Sequence, residues 1–246
     1  MTPGLYVVAT PIGNLKDITY RAVETLRDVS FIAAEDTRRT MILLNAYDIK
    51  KELISYHGHS DERRMERIIE RMQAGESCAL VSEAGTPGIS DPGVRLISNA
   101  REANIPVIPI PGASAFVTLL SVAGIPTNGV LFVGFLPPKS GSRRNRLTEL
   151  CTAEKKVIVL YESVHRITAL AADIAAVFPP ETPVVIGREL TKQFETIRRF
   201  CSKDLLDYSE NGSIIKGEFT LIIDNRGKAL KSLSEDADNE GEGAVV

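Results

Sequence analysis

Carboxylates, hydroxyls and small residues gather at several points where an apolar run of the sequence gives way to a turn. The segments are ATPIGN (residues 9–14), AEDT (34–37), SEAGTPGISDPG (82–93), PGASA (111–115), YESVHR (161–166) and GRELTK (187–192). Ligands of open α/β sheets bind beyond the carboxyl ends of the strands. Turns alone do not require so much Gly, Pro, Ser and carboxylate, so we interpret these segments as parts of a ligand site.

The motifs that the chain lacks narrow the chemistry of this site. No G-x-G-x-x-G follows the first apolar run, no G-x-x-x-x-G-K-[ST] occurs, and no serine lies in G-x-S-x-G. A dinucleotide, a cradled triphosphate and a serine nucleophile are therefore disfavoured. The PGAS segment either exposes backbone N–H groups at a helix start or is a plain N-cap at Ser114.

Metal and thiol chemistry also find little support. His57 and His59 are two residues apart without a third ligand nearby, which favours a surface turn over a metal site. His165 follows Glu162 by three residues, a spacing that favours a structural hydrogen bond. Cys78 precedes an apolar run and is expected to be buried and unreactive. We expect no metal.

The charge of the chain is unevenly distributed. The net charge is −3, the segment from residue 231 onward carries −4, and residues 1–230 therefore carry +1. Two groups of cations in this near-neutral body have the composition either of a solvated loop or of a phosphate-binding cluster. The candidate RNA-binding residues are Arg38, Arg39, Lys139, Arg143, Arg144 and Arg146.

The elements that must position these residues alternate between strand and helix. Strands are predicted at LYVVA, FIAAEDT, CALVS and IPVIPIP, and helices at about 19–26, 62–74, up to 103, and 113–122. In the second of these helices, Met65, Ile68, Ile69 and Met72 share one face and Gly75 ends it. This order predicts a parallel α/β sheet.

A second unit follows a stretch rich in Gly and Pro. Its predicted strands are VLFVGF, KVIVLYES, PVVIGREL, residues 198–201 and FTLIIDN, and its helices cover 143–151, 165–177 and 203–209. GEFTLII alternates little, so it is expected to be buried on both faces. We predict an N-terminal α/β domain over 1–122, a C-terminal α/β domain over 123–227, and a disordered acidic tail over 228–246.

Composition indicates a cytoplasmic protein. The three cysteines lie far apart, no signal peptide is recognisable, and no apolar stretch reaches the roughly 20 residues of a membrane-spanning helix. We expect no membrane association.

Taken together, the motifs resemble those of the tetrapyrrole (corrin/porphyrin) methylase family, in its rRNA-methylating branch. They are LYVVATPIGNLKDIT, AEDTRRT, ALVSEAGTPGISDPG, IPIPGASA, FVGFLP, YESVHRI, RELTKQFET and KGEFTLII, in family order from residue 5 to about 224. The resemblance implies two α/β domains with S-adenosylmethionine in the cleft between them, usually as a homodimer. It also implies methylation of the ribose 2′-oxygen of a cytidine in the decoding region of small-subunit (16S) rRNA, with the assembled 30S subunit as the favoured substrate.

The resemblance further implies a set of cofactor contacts. Gly85, Thr86 and Pro87 stand where the small-molecule enzymes of the family have a Gly-Asp-Pro turn, at which the backbone approaches the cofactor. The implied cofactor-binding residues are Pro11, Glu83, Ala84, Gly85, Thr86, Ile89, Ser114, Ala115, Tyr161, Arg188, Glu218, Phe219 and Thr220.

Methyl transfer also needs a base, because a ribose hydroxyl is a poor nucleophile until its proton is withdrawn. Carboxylates and a lysine at the predicted strand ends are candidates: Glu35, Asp36, Glu162, Glu189 and Lys192. We favour Glu189 with Lys192, one turn apart if the segment is helical, with Glu162 as a further candidate; a structural ion pair is the competing interpretation.

Three departures from the family pattern stand out: Glu83 replaces a common Asp, Ser60 replaces a common Asn, and an acidic tail replaces a helical extension. Two alternatives stay open at this point. A tetrapyrrole or corrinoid methylase would be expected to have Gly-Asp-Pro at residues 85–87. A non-catalytic ribosome-assembly or RNA-binding factor would be expected to have damaged cofactor loops.

Overall fold

The protein is described by a computed structural model covering residues 1–57, 62–91, 93–152, 156–210 and 217–227. Residues close in space group into two units. Unit 1 comprises Met1–Thr118 with Thr191–Gln193, and unit 2 comprises the described parts of Leu119–Leu190 and Phe194–Val246. Some parts of the sequence analysis concern residues outside the described ranges, namely His59, Ser60, Pro92 and the tail from residue 228.

Unit 1 has a parallel sheet, as the alternation of strands and helices predicts, but the sheet has five strands where the sequence predicts four. Its strands are β1 (Gly4–Val8), β2 (Phe31–Ala34), β3 (Glu52–Ser55), β4 (Ser77–Val81) and β5 (Val107–Ile110), and its helices α1 (Tyr20–Asp28), α2 (Thr37–Ala46), α3 (Glu62–Gln73), α4 (Gly93–Glu102) and α5 (Ala115–Val122). The spatial order is β3-β2-β4-β1-β5, with every adjacent pair parallel. The division between the units falls within α5, before the sequence-predicted boundary at 122.

Two apolar layers sandwich this sheet. Leu26 of α1 and Leu44 of α2 pack in one cluster, and Ile68 of α3 and Leu96 of α4 pack in another. α3 buries Met65, Ile68 and Met72 as its periodicity predicts, and Gly75 follows it in a left-handed conformation (φ 97°). Helices on both faces define a doubly wound sheet.

Side-chain caps fix where two of these helices begin. The Thr19 hydroxyl accepts the Ala22 N–H at the start of α1, and the Asp36 carboxylate accepts the Arg38 and Arg39 N–H groups at the start of α2. The AEDT segment therefore contains the last residue of β2, Ala34, as well as the cap of α2, Asp36, and its first residue, Thr37.

Unit 2 has a mixed sheet. Its strands are β6 (Val130–Phe135), β7 (Val157–Ser163), β8 (Pro183–Arg188), β9 (Thr196–Cys201) and β10 (Glu218–Asp224), and its helices α6 (Ser140–Thr152), α7 (Ile167–Val177) and α8 (Leu205–Glu210). The order is β6-β7-β10-β8-β9, where only β6 and β7 are parallel neighbours. The central strand β10 is buried from Phe219 to Asp224, as its unbroken apolar run predicts. None of the helices in the described part of the chain is long and apolar enough to cross a membrane.

Candidate functional site

Four of the candidate segments meet at one edge of the unit 1 sheet, called here the carboxyl edge of unit 1. Val8 pairs with Ile110, and Ala34 pairs with Val81, so β1, β2, β4 and β5 end side by side. ATPIGN, AEDT, SEAGTPGISDPG and PGASA all leave from these ends. β1 and β4 are neighbours whose following helices lie on opposite faces, which makes the point between them a switch point, where such sheets bind ligands.

Short contacts tie these loops to one another. Thr10 and Gly85 exchange backbone hydrogen bonds of 2.9 and 3.1 Å, and the Thr86 hydroxyl donates to the Ala113 carbonyl at 3.1 Å. A Cβ at Gly112 would lie 3.0 Å from the Ala9 Cβ, so the PGASA and ATPIGN loops pack backbone against side chain. The loop edge is therefore a preorganised surface.

The glycine-rich loop after β4 relies on left-handed backbone at two glycines. Gly85 and Gly88 have φ of 84° and 85°, conformations that glycine adopts without strain. The carboxylate of Asp91 accepts the Gly88 N–H at 2.5 Å. Burial raises the pKa of Asp91, although hydrogen bonds from Gly88, Gly93 and Ser82 oppose that shift. Asp91, which is not among the residues predicted from sequence, thus stabilises the loop through this hydrogen bond to its backbone. Ala84 and Ile89 of the same loop are exposed.

Ser114 and Ala115 lie at the start of α5, directly beyond β5. Both are partly exposed, and the Ser114 carbonyl accepts the backbone N–H and the hydroxyl of Thr118. Because α5 begins at this edge, its first-turn N–H groups and the positive end of its dipole face the loops. Pro11 of the first loop is also partly exposed.

The carboxylates of AEDT form an electrostatic network with the glycine-rich loop. The Glu35 carboxylate accepts the Glu83 N–H at 3.0 Å, and Arg39 pairs with the Glu83 carboxylate at 2.8 Å. The Arg38 guanidinium lowers the pKa of Asp36, whose carboxylate also caps α2. Asp36 therefore has the properties of a structural carboxylate rather than a base. The Glu83 side chain is long enough to form this ion pair with Arg39.

The segments of unit 2 also converge at one edge, called here the carboxyl edge of unit 2. Ser163 at the end of β7 pairs with Glu218 at the start of β10, and Arg188 at the end of β8 pairs with Phe219. Tyr161 and Arg188 are partly exposed and Glu218 is exposed. Phe219 and Thr220, in contrast, are only 2% and 4% exposed, and Phe219 packs in the unit 2 core. The enclosed side chain of Phe219 therefore disfavours a side-chain contact with a cofactor, and a contact at this residue would have to involve its backbone.

Glu162 is a buried carboxylate. Its side chain is 1% exposed, its Oε1 accepts the Ser163 N–H at 2.9 Å, and its Oε2 lies 3.0 Å from Nη2 of Arg166. The same Arg166 nitrogen donates to the Leu136 carbonyl at 2.7 Å. These contacts suit a positioning residue better than a base that must reach substrate.

Glu189 lies in a turn, not a helix, so the helical spacing to Lys192 is not formed. Its backbone is left-handed (φ 51°), its N–H donates to the Glu218 carbonyl at 3.0 Å, and its Oε1 accepts the Glu218 N–H at 3.0 Å. A β-strand ladder between β8 and β10 thus continues through the Glu189 side chain. The half-buried carboxylate is fixed at the carboxyl edge of unit 2.

In the cation segment, residues 139–146, Lys139 precedes α6 and the three arginines lie on its first turns. The members of the segment differ in exposure. Arg143 is 4% exposed and donates to Asp173, at 2.7 Å, and to the carbonyls of Pro138 and Ala169. Its guanidinium is therefore committed inside unit 2, which argues against the prediction that Arg143 binds RNA phosphates. Lys139, Arg144 and Arg146 are exposed.

Asp173 is a buried ion-pair partner of this segment that is not among the residues predicted from sequence. It is 2% exposed and holds Nε of both Arg143 and Arg144. The sequence does contain an indication of this buried pair. Asp173 is the only charged residue of the apolar helix ITALAADIAAV, and charged residues are rarely buried unless they are paired.

No cluster of three or more metal-binding side chains occurs among the described residues. Cys78 is fully buried, as its sequence context predicts, and burial raises the pKa of its thiol to about 12. Such a thiol is unreactive at neutral pH.

Comparison with known proteins defines the class to which this fold and site belong. Residues 4–205 match the family model described as Tetrapyrrole (Corrin/Porphyrin) Methylases. The solved structure of uroporphyrin-III C-methyl transferase from Thermus thermophilus, complexed with S-adenyl homocysteine, superposes with a TM-score of 0.61 at 15% identity, over 89% of this chain and 96% of that one. The chain belongs to the tetrapyrrole methylase family, which makes it a methyltransferase by class.

Sequence relatives define the branch. The chain is 44% identical to ribosomal RNA small subunit methyltransferase I of Haemophilus influenzae, over 93% of this chain and 81% of that protein. It is 47% identical to the protein of the same name from Xylella fastidiosa, over 90% and 82% respectively. Within the family, the chain therefore groups with the proteins named ribosomal RNA small subunit methyltransferase I, as the sequence motifs predict.

Proposed function

We propose that this protein transfers a methyl group from S-adenosylmethionine to the ribose 2′-oxygen of a cytidine in the decoding region of small-subunit rRNA. The observation that carries the proposal is the carboxyl edge of unit 1, where four loops with the family motifs are tied together by direct contacts. The names of the relatives support rRNA as the substrate. The assembled 30S subunit, a homodimeric enzyme and a cytoplasmic location belong to the same proposal.

The residues at the carboxyl edge of unit 1 fit S-adenosylmethionine chemically. First-turn N–H groups of α5 suit its carboxylate, and exposed Ala84 and Ile89 suit its apolar surfaces. Gly85 lets the backbone come close. The residues proposed to hold the cofactor here are Pro11, Glu83, Ala84, Gly85, Thr86, Ile89, Ser114 and Ala115. Tyr161, Arg188, Glu218 and Thr220 of unit 2 stay predictions for the adenosine.

When bound, S-adenosylmethionine supplies a methyl group made electrophilic by its sulfonium. The protein has two tasks: to align the ribose oxygen with that group and to remove the hydroxyl proton. Glu189 is the proposed base, because its carboxylate is held at an edge yet is not enclosed in the core. Lys192 is proposed to act beside it, and Glu162 to position the loop that follows β6. Arg38, Arg39, Lys139, Arg144 and Arg146 are proposed to hold RNA phosphates.

The proposal is tested by tritiated methyl transfer from S-adenosylmethionine to small ribosomal subunits that lack the modification, with chromatographic identification of the labelled nucleoside. We expect 2′-O-methylcytidine. S-adenosylmethionine binding by calorimetry without labelled RNA would reject the rRNA assignment, and tetrapyrroles would then be tested with the same protein. Labelled naked rRNA in place of subunits would reject the preference for assembled particles.

Alanine at position 85 is expected to weaken S-adenosylmethionine binding by at least about tenfold, or about 1.4 kcal/mol. The new Cβ would lie 3.3 Å from Cγ2 of Ile12 on a backbone with φ of 84°, so the loop must shift and disturb its bridge to Thr10. Calorimetric titration measures the affinity.

Gly75→Ala is the matched control for this substitution. Gly75 has φ of 97°, and a Cβ there would meet nothing within 4 Å. Both variants are therefore expected to lose stability through backbone strain, of about 1–2 kcal/mol, while only Gly85→Ala loses affinity. If the two variants bind S-adenosylmethionine with equal affinity, Gly85 does not belong to the cofactor site.

A further inference from the structure

A β-bulge near the end of β6 changes the direction of the strand. β6 pairs with β7 in register up to Phe132 with Val159 and resumes at Gly134 with Leu160, so Val133 is the extra residue. Gly134 has φ of 69°, which a residue with a side chain rarely adopts. Bulges are common next to active sites, where they redirect a side chain. Phe135, the last residue of β6, follows this bulge and pairs with Tyr161 of β7.

Phe135 is an exposed aromatic side chain that packs against a second aromatic ring. Its side chain contacts Tyr161 in a T-shaped pair with 5.7 Å between ring centroids, and Tyr161 makes a second T-shaped pair with Phe132 at 5.1 Å. Even so, Phe135 is 55% exposed. Aromatic residues are enriched at binding surfaces relative to the rest of the protein surface.

The proline loop, residues 136–138, is clamped from inside unit 2 directly after this ring. Arg166 donates to the Leu136 carbonyl at 2.7 Å, and Arg143 donates to the Pro138 carbonyl at 3.2 Å. Each arginine is held by a buried carboxylate, Glu162 or Asp173. Two arginines that are each paired with a carboxylate therefore hold the two ends of this short loop.

Exposed cations follow the clamped loop. Lys139 is exposed, and the Arg144 and Arg146 side chains are 56% and 45% exposed on the first turns of α6. Aromatic rings next to cations are the combination that binds single-stranded nucleic acid, because bases stack on the ring while cations hold the phosphates.

We propose that Phe135 is a stacking platform for a base of the RNA substrate, with Lys139, Arg144 and Arg146 holding the adjoining phosphates. This inference rests on the proposed function for RNA as the substrate and adds the residue that orients the strand. Phe135 acts on substrate binding, whereas the loops of unit 1 serve the cofactor.

Steady-state methylation of small subunits tests the platform. Removal of a stacked ring costs about 1–3 kcal/mol per base, so Phe135→Ala is expected to raise KM for the subunits about 5- to 150-fold. Phe135→Leu retains apolar area without an aromatic face and is expected to behave like Phe135→Ala, while Phe135→Trp restores a low KM. Calorimetric affinity for S-adenosylmethionine is expected to stay at the wild-type value throughout. Tyr20→Ala removes a 92% exposed aromatic of unit 1 and is the control.

A spectroscopic measurement tests stacking separately from turnover. The chain contains no tryptophan, so Phe135→Trp introduces a single indole at this site, which can be excited selectively over the six tyrosines. Its fluorescence is expected to be quenched by a short unstructured RNA oligonucleotide rich in cytidine, and that of Tyr20→Trp is not.

The outcomes separate the two proposals. Wild-type protein that labels no rRNA rejects the proposed function, yet quenching of the indole in Phe135→Trp still reports whether RNA stacks there. The stacking platform alone is rejected if the wild-type protein is active and one of two results is obtained. These results are an unchanged KM in Phe135→Ala and tryptophan fluorescence in Phe135→Trp that RNA does not quench. A loss of S-adenosylmethionine affinity in Phe135→Ala that matches the rise in KM would assign the ring to the cofactor and likewise overturn the inference.

Discussion

Alanine at position 173 is expected to lower the free energy of unfolding by about 3–5 kcal/mol, because it leaves a buried guanidinium without its counter-charge. Asp173 is 2% exposed and accepts Nε of Arg143, itself 4% exposed, at 2.7 Å. The carbonyls of Pro138 and Ala169 stay bonded to Arg143 but cannot neutralise its charge. Denaturant unfolding monitored by circular dichroism measures the change.

Two further variants make this prediction specific to the buried pair. Glu149→Ala breaks the exposed pair of Arg146 on the same helix and is expected to cost less than about 1 kcal/mol. The double variant Arg143→Met with Asp173→Leu replaces both charges by apolar groups and is expected to recover most of the lost stability. A loss in Asp173→Ala no greater than that in Glu149→Ala would contradict the account.

The carboxyl edge of unit 1 can be predicted from sequence, because apolar strand segments are recognised locally and the ends of parallel strands meet at one edge of the sheet. LYVVA and CALVS are unbroken apolar runs, and pairing in register brings the segments that follow them together. β3 was not predicted, since its residues ELIS are partly or fully exposed at the edge of the sheet. α2 was not predicted either. Its consecutive apolar residues Met41 to Leu44 include two that are exposed, which blurs the helical period.

Side-chain roles were less predictable, because they depend on partners distant in sequence. The cations of residues 139–146 look equivalent locally, and only Asp173, thirty residues beyond Arg143, distinguishes the buried one. Likewise the E-L-T-K spacing at Glu189 suggested a helical pair. Instead, the backbone at Glu189 is left-handed, and both its N–H and its carboxylate bond to Glu218.

Glutamine at position 189 is expected to lower kcat for methyl transfer by about 10²–10⁴-fold, the usual contribution of a general base. The amide cannot take the ribose proton, but its oxygen can still accept the Glu218 N–H that Oε1 now accepts at 3.0 Å. The turn is therefore expected to keep its geometry, and KM and the free energy of unfolding are expected to stay near their wild-type values. Single-turnover transfer to small subunits measures the chemical step.

Glu189→Ala and Glu181→Gln separate this chemical role from a structural one. Alanine removes both the base and the bond to Glu218, so it is expected to lose stability as well as rate. Glu181 is an exposed carboxylate of unit 2 that pairs with Lys203 ahead of β8, and its amide variant is expected to turn over like the wild type. If Glu189→Gln keeps a wild-type kcat while Glu189→Ala does not, the carboxylate positions the end of β8 and the proton leaves by another route.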